Sequence, residues 1–242
     1  MTGRRGAMGA RLACLALLSG CVSGGLAPPA FETGIRPDAK PPDTGRDSGS
    51  ALGLVGTTYF PLDLDWRWFY GATDGGTEAR QTMGKVQFQN TSALAVHSWQ
   101  TAGSDTASSP LDLSTNYYSA DSTGVSLLGE EKPDNSDPTV TDTLTYDPPL
   151  LFVPADPGAT PTFSTVGTVR LVVTDSSGAV VQDTTIDWSM AGSAMQSTIS
   201  TPAGSFDGYV ITYTPGGALG FAANVGMVDM GGGRLLQGYG HP

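Results

Sequence analysis

Short stretches in which apolar and polar residues alternate recur along the chain from about residue 57 to residue 239. In the strongest of them Trp66, Trp68 and Tyr70 fall on one face at a period of two, which is the period of a β-strand with one buried side. Spacing typical of an amphipathic helix is nearly absent, and 214–224 could hold a turn or two at most. The pattern therefore predicts a mainly β domain.

Two of the predicted strands form the clearest hairpin. The stretch 166–174 carries Val169, Leu171 and Val173 on one face, and 180–190 follows after a turn of Asp, Ser, Ser and Gly. Such a turn between two alternating runs favours antiparallel pairing. Other strands are predicted over 84–89, 94–100, 124–129, 139–146, 197–201, 208–214, 221–230 and 235–239.

The segment 147–154 is bracketed by prolines. Proline has no N–H to donate to a neighbouring strand, so prolines are found at sheet edges and bulges. We therefore expect this segment to be an edge or a connection rather than a central strand.

The N-terminus has the order of an export signal. The first residues are positively charged through Arg4, Arg5 and Arg11. The apolar run 12–18 follows and is too short to span a bilayer. The next residues, Leu18-Ser19-Gly20-Cys21, resemble the bacterial lipoprotein signal: Leu, a small residue, Gly or Ala, then Cys. The alternative is an ordinary secretory signal that is cut elsewhere.

The lipoprotein resemblance implies a processed N-terminus and a membrane partner. Residues 1–20 would be removed, and Cys21 would receive a diacylglycerol and, on its new amine, a further acyl chain such as palmitate. Two or three acyl chains hold a protein on a membrane stably, whereas one does so only marginally. Val22 follows the cysteine where Asp would favour retention at the inner membrane, so the resemblance favours the outer membrane of the cell envelope.

Between the anchor and the domain, residues 21–54 show no hydrophobic periodicity and are rich in Pro, Gly, Ser and Asp. Such a composition cannot bury enough apolar surface to offset the entropy of ordering. We predict a disordered tether with a coil-like reach of ~30 Å. The all-β domain is then expected to occupy 55–242.

The net charge and the cysteine count limit which partners and cross-links the chain can have. The chain has 12 Lys and Arg against 23 Asp and Glu, a formal net charge of −11. Removal of a signal that holds three arginines and no acid would make it −14. Such a surface repels phosphate, which argues against nucleic-acid binding. Cys14 and Cys21 are the two cysteines, so the domain itself has no thiol for a disulfide.

Several motifs in order resemble those of a broad family of bacterial secreted lipoproteins of uncharacterised function, common in myxobacteria and their relatives. They are the opening Tyr59-Phe60-Pro61-Leu62 with Trp66-Arg67-Trp68-Phe69-Tyr70, the central Asp147-Pro148-Pro149-Leu150-Leu151, then Thr201-Pro202-Ala203-Gly204-Ser205-Phe206 and the closing Val225-Gly226-Met227-Val228. The family has Gly-Asn where this chain has Leu64-Asp65, and Thr where it has Ser205.

The resemblance implies one strongly curved antiparallel sheet, or a half-open barrel similar to periplasmic lipoprotein carriers, with a β-sandwich as the alternative. Glycines at 204, 208, 226 and 231–233 stand where strands of such a sheet must bend or bulge. The family supplies no catalytic residues.

A search for chemistry finds few candidates. His97 is the one histidine well inside the domain, and no Gly-x-Ser-x-Gly elbow marks a serine nucleophile for it. With one useful histidine and no free thiol a zinc site is not expected. The acidic turns Asp63/Asp65 and Asp134/Asp137 could offer oxygen ligands to calcium, although neither completes a calcium-loop pattern. No cofactor signature is found, and we predict none.

The sequence therefore predicts a non-enzymatic, membrane-anchored, extracytoplasmic binding or assembly domain that holds a lipid or hydrophobic ligand on a concave sheet face. The first alternative is a structural envelope or surface lipoprotein, periplasmic or surface-facing, that contacts other proteins through its sheet edges. The second is a hydrolase that uses His97.

Overall fold

The structure is a computed structural model that describes residues 56–71, 77–101, 111–134 and 137–241. Within these ranges the chain consists of strands and turns, without a helix. The prediction of a mainly β domain is confirmed. The segment 214–224 holds a strand and turns rather than a helical turn.

The described ranges contain fourteen strands, which we number in chain order. They are β1 Gly56–Thr57, β2 Phe60–Pro61, β3 Arg67–Gly71, β4 Thr77–Phe88, β5 Thr91–Thr101, β6 Leu111–Asp121, β7 Gly124–Asp134, β8 Asp137–Pro154, β9 Thr162–Thr174, β10 Val180–Thr201, β11 Gly204–Thr214, β12 Ala218–Ala222, β13 Gly226–Asp229 and β14 Leu235–Gly240.

Strands β3 to β14 form one antiparallel sheet that closes into a 12-strand barrel. Each of these strands pairs with the next one along the chain, and β14 returns to pair with β3, where Tyr239 lies opposite Trp68. The predicted curved antiparallel sheet is confirmed. The sheet closes on itself rather than staying half open, and it is one sheet rather than a sandwich of two.

The inner face of the barrel carries the core. The predicted aromatic stripe points inward, because Trp66, Trp68 and Tyr70 are all buried. The hairpin prediction also holds: Val169 and Val173 are buried on the same face of β9. One large cluster of apolar side chains therefore fills the interior, and the alternation seen in the sequence records which residues face it.

The proline segment forms the second half of β8 and pairs on one side only, which agrees with the prediction of an edge rather than a central strand. Its residues 150, 151, 153 and 154 pair with β7. Pairing with β9, however, ends at Asp147, and the register with β7 shifts opposite the prolines. The missing proline donors thus interrupt the ladder locally without ending the strand.

The predicted glycine positions serve close approach and turning. A Cβ on Gly208 would lie 1.9 Å from the carbonyl oxygen of Phe221 on the neighbouring strand β12. Gly231, Gly232 and Gly233 all have positive φ in the turn between β13 and β14. Glycine allows both arrangements, because it has no side chain to clash and tolerates left-handed backbone.

The short hairpin of β1 and β2 enters one end of the barrel, and we call residues 56–62 the plug. Its Phe60 and Leu62 are buried in the core. The carbonyl of Thr58 accepts a hydrogen bond of 2.7 Å from the N–H of Asn224, in the turn between β12 and β13. That turn defines the plug end of the barrel, and the chain before residue 56 joins the domain there.

At the other end, the hairpin of β9 and β10 reaches beyond β11. The predicted turn is confirmed: the Asp175 carboxylate accepts hydrogen bonds from the N–H groups of Ser177 and Ala179. The two strands predicted over 180–190 and 197–201 form a single strand of 22 residues. We call residues 166–190 the arm. It consists of the second part of β9, the turn and residues 180–190 of β10, which lie past the end of β11.

Candidate functional site

The concave face where a ligand was predicted is filled by the protein's own aromatic side chains. Phe60 of the plug lies at its centre, stacked on Trp68 at 5.8 Å between ring centroids and edge-on to Tyr118 at 5.3 Å. It also meets Phe152 at 5.6 Å and Phe221 at 6.1 Å. These rings come from β3, β6, β8 and β12, so one plug side chain occupies the space that a lipid would need.

Polar atoms of the core aromatics bind the backbone across the barrel. The indole N–H of Trp68 donates to the carbonyl of Val225 at 2.7 Å, and the Tyr70 hydroxyl donates to that of Met227 at 2.8 Å. The Tyr213 hydroxyl donates to the carbonyl of Phe152 at 2.6 Å. Burial raises the pKa of both tyrosines above the ordinary value. These groups therefore stay neutral and fix strand positions rather than supply acid–base chemistry.

One buried ionic cluster lies on the same inner face and was not found from the sequence. Glu78 Oε1 accepts from Arg80 Nε, and its Oε2 accepts from Arg234 Nη1, both at 2.7 Å. Burial lowers the pKa of Arg80, but the adjacent Glu78 carboxylate, together with Tyr70 and Tyr118, outweighs this and raises the pKa overall. Because Glu78 and Arg234 are 156 residues apart in the sequence, no local motif predicts the cluster. It joins β4 to the start of β14, which places it beside the strands that close the barrel.

His97, the candidate hydrolase residue, lies on the outer face of β5. Its ring stacks on Trp99 with centroids 5.7 Å apart, and its Nδ1 is 3.1 Å from the hydroxyl oxygen of Thr115. Across the described ranges no group of three His, Cys, Asp or Glu side chains converges as a metal site would require.

The acidic turns have local structural roles. The Asp65 carboxylate accepts from the Gln81 amide at 2.8 Å, and Asp65 itself has a φ of 63°. The Asp137 carboxylate accepts from the hydroxyl and the N–H of Thr139, and these hydrogen bonds lower its pKa. One carboxylate oxygen of Asp65 and one of Asp137 therefore already have hydrogen-bond partners. Cys21, with the predicted signal and tether, lies outside the described residues.

The edge of the arm is exposed and has backbone groups without a neighbouring strand. Residues 180–193 of β10 pair with β9, but pairing with β11 begins only at Ala191. In the part of the chain that the structure describes, no strand pairs with the other side of 180–190. We call this side the free edge. Its first ten residues are exposed apart from Ile186 and Trp188, which turn inward.

Where the free edge meets β11, the outer surface opens into a shallow groove of about 450 Å³. It is lined by Thr162, Phe163, Ser164, Ala191, Gly192, Ser193, Thr212 and Thr214. Val166 and Met195, which are 74% and 67% exposed, lie on the flanking strands. The arm thus combines an open backbone edge with exposed apolar side chains.

Comparisons with protein-family models, with curated proteins and with solved structures find no match for this chain. In the described part of the chain there is no helix long and apolar enough to cross a membrane. The resemblance to secreted lipoproteins therefore remains a prediction from the sequence motifs, and function must be argued from the geometry.

Proposed function

We propose that the chain is a membrane-anchored, extracytoplasmic lipoprotein whose barrel is a non-enzymatic domain for contacts with another envelope protein. The observation that carries this proposal is the arrangement of the two barrel ends. The chain leading from Cys21 joins the domain at the plug end, while the free edge lies at the opposite end. An anchor at one end leaves the other free to meet a partner.

The filled interior favours this function over a ligand carrier. A drug-sized or lipid ligand needs a concave pocket that buries most of its surface. Phe60, Trp68 and Phe152 occupy the centre of the barrel, and the groove beside the arm is shallow and largely lined by hydroxyl-bearing residues. Sheet edges, in contrast, are surfaces that proteins commonly use to bind one another.

The anchoring part of the proposal is tested with Cys21→Ser in the native host. We expect the wild-type chain in the membrane fraction with an acylated N-terminal cysteine by mass spectrometry, and the variant in the soluble fraction. A wild-type chain without acyl groups would contradict it, as would a variant that stays on the membrane.

The protein-contact part is tested by photo-crosslinking in cells. A photoreactive residue at Thr185, on the arm, is compared with one at Leu64, which is 59% exposed near the plug end. We expect a reproducible protein adduct from position 185 and none from position 64. Absence of an adduct on the arm would refute the proposal, and a lipid co-purifying with the delipidated barrel in native mass spectrometry would favour the carrier instead.

A further inference from the structure

The free edge has a defined set of outward-facing backbone groups. The N–H of Ala194 donates to the carbonyl of Pro161 on the β9 side at 2.8 Å. In an antiparallel strand, the N–H and C=O of one residue point to the same neighbour, and successive residues alternate. The β9–β10 register is regular from 182 to 193. Even-numbered residues of β10 therefore bond to β9, and odd-numbered residues between 183 and 189 point away from it.

The groups that point away belong to Asp183, Thr185, Asp187 and Ser189, and all four residues are exposed. Their side chains share the outer face of the sheet, since successive side chains alternate between faces. The stretch from 182 to 190 spans ~30 Å at ~3.3 Å per residue. It is long enough to template an added strand.

This edge is weakly protected against such an addition. Natural edge strands are usually guarded by lysines, prolines, bulges or a covering segment. Residues 180–190 contain neither Lys nor Pro, and their one irregularity is the bulge between Val180 and Gln182. The guards that remain are the carboxylates of Asp183 and Asp187, which repel acidic chains and attract basic ones.

The two carboxylates differ in what they offer a partner. Asp183 is held by Arg170 of β9 in a two-point ion pair, with nitrogen–oxygen distances of 2.8 and 2.6 Å. Asp187 lies across from Thr168 and makes no ion pair with a described residue. An incoming strand therefore meets one carboxylate that is already neutralised and one, Asp187, that is open to a cation.

We propose that the free edge binds an extended segment of the partner protein as an added β-strand, and that this segment carries Lys or Arg on the side facing Asp187. This inference rests on the proposed function and specifies its partner. Main-chain hydrogen bonds to the odd-numbered residues supply affinity, and alternate side chains supply selectivity. A second copy of the chain fits less well, because each copy is strongly acidic and brings the same carboxylates to the seam.

The test uses the full chain in detergent micelles and end-capped nine-residue peptides labelled for fluorescence anisotropy. The peptides alternate Thr with Lys, Gln or Glu, and a fourth is the Lys–Thr peptide N-methylated at every residue. The fourth matches the charge and side chains of the first but has no backbone N–H within its nine residues. We expect the unmethylated Lys–Thr peptide to bind at least ~10-fold more tightly than the others, a difference that anisotropy resolves readily.

Variants of the edge separate backbone pairing from charge. Thr185→Pro removes an N–H that points away from β9, so the hairpin should stay paired while peptide binding is lost. Thr185→Ala is its matched control and should bind normally. Asp187→Lys should shift the preference to the Glu–Thr peptide. An unchanged thermal midpoint for each variant shows that the barrel remains folded.

Three outcomes would overturn the inference. Equal binding of the N-methylated and unmethylated Lys–Thr peptides would show attraction by charge alone. Undiminished binding to Thr185→Pro would show that the edge does not pair. A dimer of the wild-type chain that Thr185→Pro dissolves would make a second copy the occupant. If these results accompany protein crosslinks from position 185, the added strand fails while the proposed function stands; without crosslinks the proposed function fails too.

Discussion

The plug and the arm lie at opposite ends of one barrel and are built from similar β-forming residues, but their surroundings differ. Phe60 of the plug is 2% exposed and touches rings from four strands, whereas Val180 and Val181 at the start of β10 are 59% and 60% exposed. The plug end gains its order from apolar burial. In the arm, residues 180–190 of β10 pair on one side with β9 and leave their other side to solvent.

This contrast shows that buried surface is unevenly distributed over the domain. Buried apolar side chains hold the closed sheet, and Val169, Val173 and Met190 of the arm are among them, but most of residues 180–189 are exposed. Local stability in proteins commonly varies in this way, with binding elements drawn from the less protected regions. Three changes test the contrast, from the largest expected effect to the smallest.

Phe60→Ala should be among the most damaging single changes. Removing a buried phenylalanine leaves a cavity that the rigid barrel cannot fill, and such changes typically cost about 3–5 kcal/mol. Denaturant unfolding followed by tryptophan fluorescence measures the loss, and Trp68, stacked on Phe60, is a direct reporter. Met195→Ala, at an exposed site beside the arm, is the control and should change stability by at most about 0.5 kcal/mol. Similar losses for the two variants would contradict the contrast.

Glu78→Gln should cause the second-largest loss of stability. It leaves Arg80 and Arg234 without their shared carboxylate, and breaking a buried ion pair costs about 3 kcal/mol or more. The matched change on the arm, Asp183→Asn, breaks the exposed pair with Arg170 and should leave the unfolding midpoint unchanged. If Asp183→Asn proved the more harmful, the arm would be contributing stability that its exposure does not indicate.

Acid should affect the arm before the barrel. Hydrogen bonds from Ser177 and Ala179 lower the pKa of Asp175, and those from Arg170 lower that of Asp183. A carboxylate with a lowered pKa in the fold stabilises it above its unfolded pKa, and this contribution is lost as pH falls through the folded value. We expect arm signals in NMR spectra to change below about pH 4, while the Trp68 indole signal does not. Simultaneous changes of the arm signals and the Trp68 signal would contradict this expectation. Asp175→Asn should remove the contribution of Asp175 to the pH dependence of the arm signals.

The parts of the fold that sequence reasoning predicted correctly are local. The alternation of Trp66, Trp68 and Tyr70 identified an inward face, and the Asp175–Gly178 turn identified the hairpin of the arm. Both depend on neighbours a few residues apart, which a sequence displays directly. The proline segment was harder, because proline predicts the missing donor but not whether the strand continues past it.

The parts that could not be predicted depend on distant pairing. Barrel closure requires β14 to meet β3, and the Glu78 cluster requires Arg234 to return to β4. The sequence also did not predict that β10 is one long strand, because Gly192 interrupts the alternation of apolar and polar residues. In the structure Phe163 packs over this glycine, and a Cβ there would lie 2.2 Å from the ring. The free edge is visible only once the ends of β10 and β11 are known relative to each other.

The plug has a mechanical consequence. The chain before Gly56 continues directly into the hairpin that carries Phe60, so a pull on the N-terminus is transmitted first to the plug. The plug pairs with itself and is fixed to the barrel wall through Thr58 and the buried rings, whereas the barrel strands are joined by long ladders. Tension applied from the N-terminal side would therefore draw the plug out before it sheared the barrel, which makes the centre of the core the point that bears the load.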